Sequence, residues 1–242
     1  MFNTVIVAAL EREVQPLIKK WKRVTHQYDG RTFTFFEQGE TSLVCGGIGM
    51  QAARRAAEAA VTLYRPALIK SVGFAGALDP SLHVGDLFSP SLILDSRDGS
   101  RTQLEGNDGT LVTFMEVAGV AQKSKLALAY AARAVDMEAG AVAASAGAHG
   151  IAFAAIKVIS DEFDFEIPGG SSFINAKGEF QTGKFVLFGA LRPWLWPRIA
   201  VLARNSGKAA RILAAHLRSG QNEASTLTRS VSSTTAPTGG HN

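Results

Sequence analysis

The chain has 242 residues, 46% of them hydrophobic and 19% charged, enough apolar material to bury a substantial core within one domain. A net charge of +4 without a long basic run excludes a dedicated nucleic-acid binder, and leaves small anions or a membrane surface as charge-based partners. The single cysteine, Cys45, excludes an internal disulfide and any cysteine-based metal site, which fits a cytoplasmic protein. The opening residues are too short and too uncharged for a signal peptide, and no apolar run approaches the ~20 residues of a membrane span, so a soluble protein is expected.

Short β-branched runs bounded by glycine alternate with alanine-rich helical stretches, the pattern of an α/β domain with a largely buried sheet. In chain order, residues 4–8 read as a strand, 11–21 as a helix, and 33–37 with 42–45 as an antiparallel pair. The GGIG segment, 46–49, opens a long alanine-rich helix that Pro66 stops near Tyr64. Strands follow at 67–72 and 87–94, then a polar loop or hairpin at 95–110 and a return to the sheet at 111–114. A helix over 121–132, a strand over 134–137, a small-residue helix over 138–147 and a strand over 151–159 complete the α/β part.

From Pro193 the pattern is helical, with Pro197 suited to a first turn. At 100° per residue Ile199, Leu202, Leu213 and Leu217 share one face, and Arg204, Lys208, Arg211 and Arg218 the other. Either the helix packs on the sheet with a solvated basic face, or it contacts an anionic membrane. After Ser219 the chain is Ser, Thr and Gly with few large apolar residues. The expected division is one domain over 1–218 and a disordered tail over 219–242.

Three glycine-bearing or acidic segments fall at strand ends, where open α/β sheets place ligands. GGIG, with Gly47 and Gly49, is either a backbone site for phosphate or water at a helix N-terminus or a tight packing turn; it lacks the lysine of a P-loop. The ordered set AALEREV (8–14), CGGIGM (45–50), SVGFAGAL (71–78) with VGD (84–86), VDMEA (135–139) and KVISD (157–161) resembles the nucleoside phosphorylase and nucleosidase superfamily, above all its methylthioadenosine/S-adenosylhomocysteine nucleosidases. The resemblance covers roughly residues 3–190. It implies a three-layer α/β/α sandwich around a mixed sheet, a homodimer, a purine nucleoside as the small-molecule partner, and no metal or redox cofactor.

Breaking a ribose–purine bond develops positive charge on the sugar and negative charge on the base, so the chemistry needs a proton donor near purine N7 and anionic groups around the ribose. The resemblance gives the donor role to Asp161, beside Ser160, which requires burial to keep the carboxyl protonated; by itself Asp161 reads equally as the cap of a turn. It gives Glu138 the ribose hydroxyls and Met137 the sugar face, where the plainer reading is a helix-start glutamate and a core methionine. Glu13 matches the glutamate that activates water, though a glutamate in a first helical turn is also ordinary.

Related phosphorylases carry an arginine at the Glu13 position, and a second arginine and a serine around the later glycine segment. Here those places hold Glu13, Ser71 and Phe74, so hydrolysis is favoured over phosphorolysis. Phe74, next to Gly76 in the substrate-binding segment, replaces the small or hydroxyl residue usual in the nucleosidases. Lys157, also assigned to the substrate, stands where they often carry arginine. The loop over the purine is shortened to roughly residues 114–117. VDMEAGAVA, SDEFDFEIPGG and RPWLWPRIAVLARNSGKAA also look like hopanoid-associated members, thought to cleave adenosylhopane by water or by phosphate. Phe163, Phe165, Ile167 and Pro168, with Trp194 and Trp196 on the basic helix, suit such a lipid substrate or else form lid and core. Phosphate anchored at 46–49 with Arg12 or Arg54, and a nucleoside-binding protein without activity, are the competing expectations.

Overall fold

The computed structural model describes residues 2–167, 170–173, 175, 181, 187 and 191–233. The chain runs β1 (Thr4–Ala8), α1 (Glu11–Ile18), β2 (Lys22–Tyr28), β3 (Arg31–Gln38), β4 (Thr41–Cys45), α2 (Met50–Tyr64), β5 (Leu68–Ala77), β6 (Leu87–Phe88), β7 (Leu92–Asp95), β8 (Arg101–Gln103), β9 (Thr110–Thr113), α3 (Val120–Tyr130), β10 (Ala132–Asp136), α4 (Ala139–Ala148), β11 (Ala152–Asp161) and α5 (Trp196–Ser233). The strands form one mixed sheet in the order β2-β3-β4-β1-β5-β10-β9-β7-β8, with β11 parallel to β5 and β6 antiparallel to β11.

The alternation of β1 sorts the two faces. Val5 and Val7 join Phe35 and Val44 beneath the alanines of α2, which packs on α4; Ile6 and Ala8 join Leu43 and Val72 beneath α1 and α5. Helices on both faces of a mixed sheet make the expected three-layer α/β/α sandwich. Small side chains let α2 lie close: a Cβ at Gly46 would sit 2.7 Å from that of Ala56. The alanine faces of α2 and α4 are thus covered within the chain.

Several expectations change. β2 was not expected: its exposed face carries Arg23, Thr25 and Gln27, its other face opens with Lys22 and is only half-buried, and its register is supplied by β3. The strand expected over 87–94 divides into β6 and β7 on either side of Pro90, which has no N–H for a ladder. α1 ends at Ile18 rather than Trp21. The C-terminal helix begins after a 3-10 turn at Pro193–Leu195 and buries Leu213 and Leu217, while Arg204, Lys208, Arg211 and Arg218 stay exposed, as its period predicts. The helix is continuous past Ser219 to Ser233. Residues 234–242 and Pro168 lie outside the described residues. Among the described residues no helix is long and apolar enough to cross a membrane.

Candidate active site

A cleft of about 500 Å³ opens at the carboxyl ends of β1, β5, β10 and β11. Each strand delivers its chemistry where its ladder stops, so side chains there are held by rigid backbone yet face open space. Glu13, Phe74, Gly76, Met137, Glu138, Ser160 and Asp161 all line it. Glu116 and Val117, from the shortened loop, line it too, as do Ile167 and Phe173.

Glu13 sits in the first turn of α1, 7% exposed, and its Oε2 has no hydrogen-bond partner among the described residues. Burial, then the charge of Glu138, raises its pKa from the ordinary 4.5 to about 8. Its closest approach is to Gly73, where a Cβ would lie 2.8 Å from Oε2 and where φ is +148°. Two constraints, clearance and backbone, therefore demand glycine at that point of β5. Glu138 accepts from the N–H of Gly49 at 2.7 Å and from its neighbour Met137 at 3.3 Å. Burial and Asp136 raise its pKa to about 7.

Beneath these carboxylates lies Lys157, 1% exposed and not among the residues lining the cleft. Its Nζ is 2.9 Å from Asp136 Oδ2 and donates to Ser71 Oγ at 3.2 Å. Burial opposes its charge, yet Asp136, Glu138 and Glu13 together push its pKa above the usual lysine value. Sequence reasoning placed Lys157 against the substrate; it is instead a buried counter-ion, because a side chain from within β11 meets Asp136 before it meets the cleft. Asp136, given no role from sequence, is the hub: Oδ1 accepts from Thr113 Oγ1 at 2.7 Å and Oδ2 from the N–H of Ala139 at 2.8 Å, starting α4. Lys157→Met is expected to cost about 3–5 kcal/mol, since it leaves Asp136 buried without its cation. Urea unfolding checks this; a loss below about 1 kcal/mol would mean the pair is solvated.

Asp161 reaches the cleft through a bulge. β11 pairs Ile159 with Ala75 and Asp161 with Gly76, so Ser160 is an extra residue that breaks the alternation and turns both Ser160 and Asp161 inward. Asp161 is 4% exposed; Oδ1 accepts from Ser160 Oγ at 2.7 Å, and Oδ2 accepts from Lys123 Nζ at 2.5 Å. The isolated, burial-neutralised acid expected from sequence is thus a paired one. Lys123 was missed, although Val120, Lys123, Leu126 and Tyr130 fall on one stripe of α3, and a lysine on an apolar stripe was the available signal. Gly76 makes room for the acid, since a Cβ there would lie 2.9 Å from Asp161 Oδ2.

The N–H groups of Gly46 and Gly47 donate to Ala8 and Ala9 at 2.9 Å each, and that of Gly49 to Glu138, so these donors are already used by the protein. Of the two readings, the packing turn is the one the geometry supports.

No match appears among the curated protein sequences. Solved structures share the fold at low identity. An Arabidopsis thaliana 5′-methylthioadenosine nucleosidase in apo form has TM-score 0.70 at 17% identity, over 92% of this chain and 95% of that one. A Helicobacter pylori 5′-methylthioadenosine/S-adenosylhomocysteine nucleosidase variant with 5′-methylthioadenosine in its active site has TM-score 0.68 at 14% identity, over 92% and 99%. The Helicobacter pylori futalosine hydrolase has TM-score 0.67 at 14%, over 92% and 98%. The family model described as the phosphorylase superfamily matches residues 3–120 and 110–184, most of the sandwich with every carboxylate of the cleft, and the chain belongs to that superfamily.

Proposed function

We propose that the chain hydrolyses the N-glycosidic bond of a 5′-substituted adenosine and releases adenine. The observation that carries this reading is the gathering of Glu13, Glu138 and Asp161 in one cleft at the ends of three different elements. Glu13, whose Oε2 is unpartnered and whose pKa of about 8 suits a base near neutral pH, takes a proton from water. Glu138 accepts from the ribose hydroxyls, and Met137 packs on the sugar. As the C1′–N9 bond breaks, its electron pair goes to the purine, N7 is protonated at Asp161, and the water oxygen bonds to C1′. Water is favoured over phosphate because Glu13 and Phe74 stand where the related phosphorylases place phosphate-binding arginines, and the N–H groups of Gly46, Gly47 and Gly49 are engaged within the protein.

The assay incubates the protein with methylthioadenosine, S-adenosylhomocysteine, futalosine and a 5′-alkyl adenosine, with and without phosphate, and quantifies free base and sugar. Adenine and a free ribose are expected without phosphate. Strict phosphate dependence would overturn hydrolysis; no release from any substrate favours a binding protein.

Two observations favour an apolar 5′ substituent presented at a lipid surface. Ile199, Leu202 and Ala203 of α5 wall the cleft with Ile167 and Phe173, and around the start of that helix Leu191, Trp194 and Trp196 are 66%, 70% and 59% exposed. Co-sedimentation with anionic phospholipid vesicles is expected, weakened in Trp194→Ala. A stable dimer that buries this face and ignores vesicles would assign it to a second copy.

A further inference from the structure

Lys123 is one of the largest fully buried side chains of the protein, although its charged end belongs to the cleft. Taking an ammonium out of water costs several kcal/mol unless it is paired and hydrogen-bonded. Its three protons have three acceptors: Asp161 Oδ2 at 2.5 Å, the Glu162 carbonyl at 2.6 Å and the Phe165 carbonyl at 3.4 Å. Asp161 is the only carboxylate among them. The stripe of α3 that carries it is otherwise apolar, so this cation stands out from its own helix face.

Both oxygens of Asp161 already accept, Oδ1 from Ser160 and Oδ2 from Lys123. With Oδ1 facing the Ser160 hydroxyl, the proton that lies against Oδ2 is one carried by Lys123 Nζ. We propose that Lys123 supplies the proton that Asp161 delivers to the purine; this rests on the nucleosidase reading above. One proton moves from Nζ to Asp161 Oδ2 and from there to N7 as the C1′–N9 electron pair passes to the base. The carboxylate ends as it began. Lys123 is left as a neutral amine and regains a proton from solvent once the base has gone. Lys123 is thus a positioning and proton-supplying residue, and its short contact with Asp161 is the transfer path.

The test uses the full chain and its best adenosine substrate. Lys123→Met and Lys123→Arg are both expected to lower kcat by about 100-fold with KM little changed. Arginine keeps the buried charge, and so the fold if the methionine variant fails, but it does not release its proton. Lys123→Ala is expected to regain turnover on addition of propylamine. Near-normal kcat in either the methionine or the arginine variant, or no rescue by the amine, would overturn the inference while leaving the nucleosidase reading intact. A wild-type protein that releases no base from any nucleoside defeats that reading, and this inference with it.

Discussion

Glu13→Gln is expected to lower kcat/KM for adenine release by about 10²–10⁴-fold and to remove the upper inflexion of its pH profile. Glutamine keeps the shape and one oxygen but cannot accept the proton of the attacking water. In the wild type the base works ionised, and burial with Glu138 nearby holds its pKa at about 8, so kcat/KM rises with pH as Glu13 loses its proton through that value. Glu138, at about 7, adds an earlier inflexion. Stability moves the other way. Below the ordinary 4.5 the carboxyl is protonated whether folded or unfolded; between there and about 8 the unfolded chain releases a proton that the fold retains, so the wild type loses stability as pH rises across that window. Glu13→Gln is spared this loss. Its melting temperature is expected to match the wild type near pH 4 and to exceed it above pH 8. A flat kcat/KM profile between pH 6 and 9 in the wild type would remove Glu13 from the role.

Asp161→Asn is expected to reduce turnover by at least about a hundredfold and, unlike the glutamine variant, to destabilise the fold. An amide passes no acidic proton to N7. It also leaves the Lys123 ammonium buried with neutral acceptors alone, a cost of about 3–5 kcal/mol for a broken buried pair. Adenine release and urea unfolding on the same preparation separate the two losses. Turnover near that of the wild type would refute the assignment of Asp161.

Much of this architecture was legible because it depends on local pattern. The β-branched run of β1, the alanine helix stopped at Pro66 and the ordered acidic segments each state their structure in a few residues. The pairings across long separations were not. Lys157 reads as a substrate-binding cation in KVISD, and only the register of β11 against β5, with Asp136 arriving from β10, shows it buried against a partner. Lys123 and Asp161 are 38 residues apart, and nothing local to either names the other. The GGIG turn reads equally as an anion cradle and as a packing turn, and the partners of its glycine N–H groups, Ala8, Ala9 and Glu138, are what favour the second. In each case the residue type was visible and its partner was not.

β5 bears on how the cleft is to be blocked. Gly73 lies against Glu13 and Gly76 against Asp161, so the groups proposed for the two sides of the reaction both rest on one strand. That strand is hydrogen-bonded to β1, β10 and β11 and has little freedom to stretch. A tight inhibitor therefore has to match a fixed span. One that joins a cationic sugar mimic to its base through a short, stiff link gives up the least entropy on binding.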